Sequence, residues 1–154
     1  MDSIISSFHE SLINSFSNIY LVILLNLFFI FATYTDLKYM KIYDKFNIVM
    51  LITRILILIY YGITTDWIMG GAVVFLTFLL SAMYTQDSIA GDIKFGGNIG
   101  LWLGFYPSII LVLLTIIFNL IYRGIFRIKK KIPLAPYFYM AYIVLGVYYF
   151  IFLT

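Results

Sequence analysis

The chain has 154 residues, of which 64% are hydrophobic and only 11% are charged. A soluble domain carries about 25% charged residues, so this composition excludes an ordinary water-soluble globule and indicates one integral membrane domain, residues 1–154. The net charge of +3 is too small for a nucleic-acid-binding protein, which needs a dense basic face, and the absence of cysteine excludes disulfides and thiolate metal sites.

The first 16 residues carry apolar side chains at helical spacing. These are Ile4, Ile5, Phe8, Leu12, Ile13 and Phe16. The pattern predicts an amphipathic helix over residues 1–16 that lies in the membrane interface.

Long stretches without Asp, Glu, Lys or Arg follow this segment. Because a bilayer core about 30 Å thick needs roughly 20 apolar residues per helix, they predict transmembrane helices. The predicted spans lie near 17–34, 46–63, 67–84, 93–105, 108–122 and 136–153.

The stretch 95–122 is long enough for one crossing or two, and the basic residues decide between them. One basic cluster follows the first span and another follows this stretch: Lys38, Lys41 and Lys45, then Arg123, Arg127, Lys129, Lys130 and Lys131. Short basic loops belong on the cytoplasmic side, which requires two crossings with a turn near Tyr106-Pro107, since proline disfavours a continuous helix. We therefore predict an all-α integral membrane protein with about six transmembrane helices and both termini outside.

Four acids lie on the predicted cytoplasmic side: Asp36, Asp44, Asp87 and Asp92. Asp36 ends the first span and Asp92 begins the fourth. Two carboxylates that meet in a low-dielectric setting share a proton, which suits general acid–base catalysis. An aspartate at a helix end can equally serve as a cap, and spacing alone leaves both interpretations open. For Asp44 and Asp87 we expect capping or solvent exposure.

Three segments resemble the signatures of type IV prepilin peptidases. The most specific is Gly91-Asp92-Ile93-Lys94-Phe95-Gly96-Gly97-Asn98-Ile99-Gly100-Leu101-Trp102-Leu103-Gly104. Supporting segments are Asp36-Leu37-Lys38-Tyr39-Met40-Lys41-Ile42-Tyr43-Asp44-Lys45-Phe46 and Ile132-Pro133-Leu134-Ala135-Pro136-Tyr137. Two positions depart from the family pattern, since Ile89 replaces a glycine of the aspartate motif and Tyr43 replaces a proline of the first.

The resemblance implies a GxGD-type membrane aspartic endopeptidase with Asp36 and Asp92 as catalytic residues. Its substrates would be prepilin-like precursors with a short basic leader, a glycine at the cleavage point and a hydrophobic helix. The chain resembles the short, peptidase-only form, because it lacks the cysteine-containing region that is associated with N-methylation in longer members.

The same resemblance gives the motif residues around the aspartates their expected roles. Gly91, Gly96 and Gly97 would allow close approach of helix and loop, and Lys38 and Lys94 would flank the site and meet its carboxylates or lipid headgroups. No cofactor is expected, and one histidine without cysteine cannot form a zinc site. The expected partners are the precursor and membrane lipid, and the expected location is the cytoplasmic membrane with the active site at its cytoplasmic face.

Two other classes of function stay open at this point. The first is a small transporter or ion-relay subunit that uses Asp92 and Arg54, since intramembrane charges are typical of ion pathways. Arg54 is otherwise expected to snorkel or to pair with an acid or backbone carbonyls. The second is an inactive homologue that serves as an assembly partner.

Overall fold

The computed structural model describes residues 2–62, 64–85, 90–127 and 132–153. Within these ranges the chain forms helices and no strands. The seven helices are α1 (Asp2–Phe16), α2 (Ile19–Tyr39), α3 (Asp44–Tyr61), α4 (Thr65–Thr85), α5 (Ala90–Leu103), α6 (Phe105–Phe126) and α7 (Ala135–Phe152).

Helix α2 has well-defined signals at both ends. The side chain of Asn18 accepts hydrogen bonds from the backbone N–H groups of Tyr20 and Leu21, as expected of an N-cap. The helix ends where Met40 adopts a left-handed conformation with φ of 52°, and the Met40 N–H donates to the carbonyl of Asp36. The chain therefore turns away within one helical turn of Asp36.

Four helices in the described ranges are long and apolar enough to cross a bilayer: Ile19–Tyr39, Thr65–Met83, Phe105–Phe126 and Ala135–Phe152. Many of their large apolar side chains face outward and are exposed, as lipid requires. Helices α3 and α5 are not among these four, because α3 carries three charged residues and α5 has only 14 residues. The prediction of an all-helical membrane protein is confirmed.

Contacts between helix ends define two ends of the bundle. At the first, which we call the aspartate end, α2 ends, α5 and α7 begin, and the ring of Tyr122 near the end of α6 contacts that of Tyr137 at 5.7 Å. At the opposite end the Asn18 amide donates to the Tyr61 hydroxyl at 3.1 Å, which joins the start of α2 to the end of α3. Helices α2 to α7 thus alternate in direction.

The break between α5 and α6 lies at Gly104 rather than at the expected Tyr106-Pro107 turn. Gly104 has a φ of 82°, which side chains rarely tolerate, so glycine permits a one-residue reversal here. Pro107 lies in the first turn of α6, where its missing N–H costs no helical hydrogen bond. The two helices are therefore separate, with the boundary slightly earlier than predicted.

The end of α5 near this break is bound by side chains from two other helices. The Arg54 Nε–H donates to the carbonyl of Leu101 at 2.8 Å, and the Ser15 hydroxyl lies 3.3 Å and 3.0 Å from the carbonyl oxygens of Trp102 and Leu103. These carbonyls have no partner within their own helix. The end of α5 opposite the aspartate end is thus capped by α3 and α1.

Helix α1 packs against the bundle through part of its predicted apolar stripe. Leu12 and Phe16 are buried, and the Phe16 ring stacks on Tyr142 and Tyr149 of α7. Ile4, Ile5 and Ile13, the rest of the expected stripe apart from Phe8, are exposed. The Ser11 hydroxyl donates to Asp66, whose other oxygen accepts the Phe105 N–H, so α1 is joined to the α5–α6 break.

Candidate active site

Asp36 lies one turn before the end of α2 and is 4% exposed. Its Oδ2 accepts a hydrogen bond of 2.8 Å from the backbone N–H of Ala135, the first residue of α7. The carboxylate is therefore held at the N-terminus of another helix, where the positive end of the helix dipole faces it.

The local sequence explains why the Ala135 N–H is the donor. The first N–H groups of a helix have no partner within the helix, and Pro136 has no N–H. The N–H groups of Tyr137 and Phe138 turn back to the carbonyl of Leu134. Ala135 is fully buried, so Asp36 satisfies a donor that water cannot reach.

Asp92 lies in the first turn of α5 and is partly exposed. The preceding Gly91 packs against the connection between α2 and α3, and a Cβ at this position would lie 2.8 Å from the carbonyl oxygen of Ile42. The Asn47 amide also donates to the carbonyl of Gly91 at 3.4 Å. The start of α5 is thereby fixed next to the chain that follows Asp36.

Three phenylalanine rings form a buried layer that serves as a reference for the positions of Asp36 and Asp92. Phe95 contacts Phe29 of α2 at 5.8 Å and Phe138 of α7 at 6.0 Å, both edge-on. Asp36 follows Phe29 by seven residues on the same face of α2, about 10 Å along the axis, and Asp92 precedes Phe95 by one turn. The structure thus places both carboxylates at the aspartate end, on the same side of a buried aromatic layer.

The two lysines of the motifs, Lys38 and Lys94, contact tyrosine side chains and Asp44, respectively. Lys94 forms an ion pair with Asp44, with a Nζ–Oδ1 distance of 2.6 Å. This hydrogen bond, together with the lysine charge, lowers the pKa of the exposed Asp44 carboxyl. Lys38 donates to the Tyr34 hydroxyl at 3.1 Å and lies over the rings of Tyr34 and Tyr39.

The other motif glycines pack α5 against its neighbours. A Cβ on Gly96 would lie 3.0 Å from Val74 and 3.4 Å from Phe138, and one on Gly97 would lie 3.2 Å from Phe75. Both glycines therefore allow close packing of α5 against α4, and Gly96 also lies against α7.

Arg54 is 2% exposed and far from Asp92. Its guanidinium lies over the rings of Trp67 and Trp102, at 4.5 Å and 5.1 Å from the centroids, and it bonds the Leu101 carbonyl. Leu101 follows Asp92 by nine residues, which is about 14 Å along a helix. This separation disfavours a relay between Arg54 and Asp92, and the predicted pairing with a backbone carbonyl is observed.

Two contacts of the site could not be read from the sequence. One is the Ala135 N–H on Asp36, for which the only signal was the prolines around position 135. The other is the pairing of Lys94 with Asp44, fifty residues apart in the chain. Asp87, Ile89 and Lys129–Lys131, considered in the sequence analysis, lie outside the described residues.

Within the described parts of the chain, no group of three or more His, Asp and Glu side chains could hold a metal ion. Comparison with curated proteins and with solved structures gave no match. A family model described as the type IV leader peptidase family matches residues 23–124, which include both aspartates and well over half of the chain. The resemblance seen in the motifs is thereby confirmed: the chain belongs to the type IV leader peptidase family.

Proposed function

We propose that this protein is a membrane aspartic endopeptidase that cleaves the leader from type IV prepilin-like precursors, with Asp36 and Asp92 as its catalytic pair. The observation that carries the proposal is the convergence of the ends of α2, α5 and α7. It brings two carboxylates to one side of a buried aromatic layer, in a chain of a leader peptidase family.

The proposed reaction needs one ionised and one protonated carboxyl group. The N–H of Ala135 and the dipole of α7 stabilise negative charge on Asp36, which makes Asp36 the base. Asp36 takes a proton from water as the water oxygen bonds to the scissile carbonyl carbon, and Asp92 gives its proton to the carbonyl oxygen. When the C–N bond breaks, Asp36 gives its proton to the leaving amine. A hydroxyl group of the tetrahedral intermediate returns a proton to Asp92, which restores the starting state of both carboxyl groups.

The proposed topology has six spans with both termini outside and the aspartate end at the cytoplasm. The alternating directions of α2 to α7 support it, as does the exposed Lys41 beside the aspartate end. Because the chain has no cysteine, single cysteines at Ser7 and Lys41 can be labelled selectively. A membrane-impermeant maleimide added to intact cells should label the first and not the second; the reverse pattern would overturn this topology.

The catalytic proposal is tested by co-expressing the chain with a prepilin-like precursor and measuring leader removal. Asp36→Asn and Asp92→Asn should each reduce cleavage more than 100-fold while the protein stays inserted. Glu10→Gln, at an exposed acid on α1, should cleave as the wild type does. If both aspartate variants still cleave, the dyad is wrong; if the wild type cleaves no precursor, the substrate is wrong.

A further inference from the structure

A groove of about 480 Å³ lies between α3 and α4 and is floored by α5. Its walls are mostly apolar and include Ile48, Leu51, Ala72 and Phe75, three of which are exposed at the lipid-facing side. A single helical stripe of α5 forms the floor, namely Lys94, Gly97, Asn98 and Leu101.

The groove and the catalytic aspartate lie on different faces of the same helix. Asp92, Phe95 and Ile99 lie on the face of α5 away from the stripe, and the last two are fully buried. The groove begins at the aspartate end, where the Lys94–Asp44 ion pair forms its mouth. From there it follows α5 toward the opposite end of the bundle.

One buried atom at this mouth lacks a partner. Asn47 lines the groove and is 3% exposed, and among the described residues nothing donates to its Oδ1. Its Nδ2 is used, because it donates to the carbonyl of Gly91 next to Asp92. An unsatisfied buried acceptor costs about 1–3 kcal/mol, so the site favours an occupant that carries an N–H donor.

We propose that this groove binds the apolar helix of the precursor, with the N-terminal end of that helix at Asn47. The inference rests on the proposed function and names where its substrate lies. The first N–H groups of any helix have no partner of their own, and one of them would satisfy Asn47 Oδ1. The positive end of the helix dipole would then face the Asp44 carboxylate.

The small residues of the groove agree with a helical occupant. Gly71, Ala72 and Gly97 line it, and small residues let helices approach closely in a membrane. A hydrocarbon tail of a lipid would fill the same apolar space but would leave Asn47 without a donor. The scissile bond precedes the precursor helix, so this placement puts it beside the start of α5, which carries Asp92.

Photo-crosslinking in the non-cleaving Asp92→Asn background locates the occupant without requiring catalysis. A benzophenone amino acid at Ala72 should crosslink to the apolar helix of a co-expressed precursor. The same probe at Thr77, exposed on α4 and outside the groove, should give less than a tenth of that yield. Crosslinks from Ala72 to lipid alone, or equal yields from both positions, would overturn the proposal.

Cleavage kinetics supply the second measurement. Ala72→Phe should lower precursor cleavage at least 10-fold by filling the groove, whereas Thr77→Phe should stay within 2-fold of wild type. If the wild type cleaves the precursor and Ala72→Phe cleaves it equally well, the proposal that the groove binds the precursor helix is wrong, whereas the proposed peptidase function stands.

Substitutions at Asn47 test the proposed hydrogen bond by crosslinking. Asn47→Leu should lower the crosslinking yield from position 72 about 10-fold, whereas Asn47→Asp, which keeps an oxygen acceptor, should give the same yield as Asn47. If the wild type cleaves nothing, the proposed function fails and the crosslinks still decide the groove.

Discussion

The backbone N–H of Ala135 donates a hydrogen bond of 2.8 Å to the carboxylate of Asp36, 99 residues earlier in the chain. This bond joins the end of α2 to the beginning of α7. Both residues are buried, so the bond orients the carboxylate and satisfies the first N–H of the helix at the same time. A change at Asp36 therefore has two separable effects, one on chemistry and one on stability.

Two substitutions at Asp36 separate these effects. Asp36→Asn keeps an oxygen that can accept the Ala135 N–H, whereas Asp36→Leu leaves that buried donor unsatisfied. Both should abolish cleavage, but only Asp36→Leu should lose about 1–3 kcal/mol of stability relative to Asp36→Asn. Unfolding in mixed detergent and denaturant measures the difference, and equal stabilities would show that the hydrogen bond contributes nothing.

Gly91 gives a prediction about the position of α5. A Cβ here would lie 2.8 Å from the Ile42 carbonyl oxygen, and because that atom is backbone, α5 must shift. We expect Gly91→Ala to lower precursor cleavage at least 10-fold with the protein still inserted. Gly124→Ala is the matched control, since a Cβ there meets nothing within 4 Å, and it should keep wild-type activity. Equal activity of the two variants would contradict the close contact.

Arg54 gives a prediction about stability. Lysine cannot reproduce both the planar stacking on two tryptophans and the Nε–H bond to Leu101. Arg54→Lys should lower the free energy of unfolding by about 1–3 kcal/mol. Thr77→Val, which removes a bond to a carbonyl of its own helix, should change it by less than about 0.5 kcal/mol. Leader cleavage measured on the folded fraction should survive in Arg54→Lys, because Arg54 lies away from Asp92 and contacts the opposite end of α5.

The Lys94–Asp44 ion pair predicts a pH dependence. Lys94 lowers the pKa of Asp44 below its ordinary value of 3.8, so the folded state binds the proton less readily than the unfolded state. The stabilisation is complete above pH 3.8 and is lost as the pH falls through the folded pKa. The difference in melting temperature between wild type and Asp44→Asn should shrink as the pH is lowered below 4.

A double-mutant cycle checks the cause of that dependence. In a Lys94→Met background, the pH-dependent difference caused by Asp44→Asn should be much smaller, because the main cause of the lowered pKa is gone and only the weaker effect of the Lys41 charge still lowers it. A difference of undiminished size in this background would assign the effect to groups other than Lys94.

The sequence predicted the helical membrane fold and several helix bounds closely. The observed α4 and α7, Thr65–Thr85 and Ala135–Phe152, lie within two residues of the predicted 67–84 and 136–153. The bounds of these helices can be predicted from the sequence because the hydrophobicity of each residue is known without the structure. The break at Gly104 was misplaced because proline is a recognisable helix breaker, whereas a glycine with positive φ resembles any packing glycine until the backbone is known.

The candidate site could be predicted only in part, because some of its contacts depend on the folded backbone rather than on residue type. Asp36 and Asp92 stood out because charged residues are few in this chain and both lie in motifs. The donor to Asp36 is a backbone group, which no residue type reveals. Likewise, the groove at Asn47 depends on three helices meeting, and its stripe on α5 lies within the same motif as Asp92.

The short α5 has a consequence for how the protein is made. Its 14 residues extend about 21 Å, less than the hydrocarbon core, and its last carbonyls are bound by Ser15 and Arg54. In lipid each unpaired carbonyl costs several kcal/mol, so α5 has no stable transmembrane state by itself. We therefore expect α5 to become ordered only when α1 and α3, which both precede it in the chain, are in place. The proposed catalytic position of Asp92 then depends on two helices that carry neither Asp36 nor Asp92.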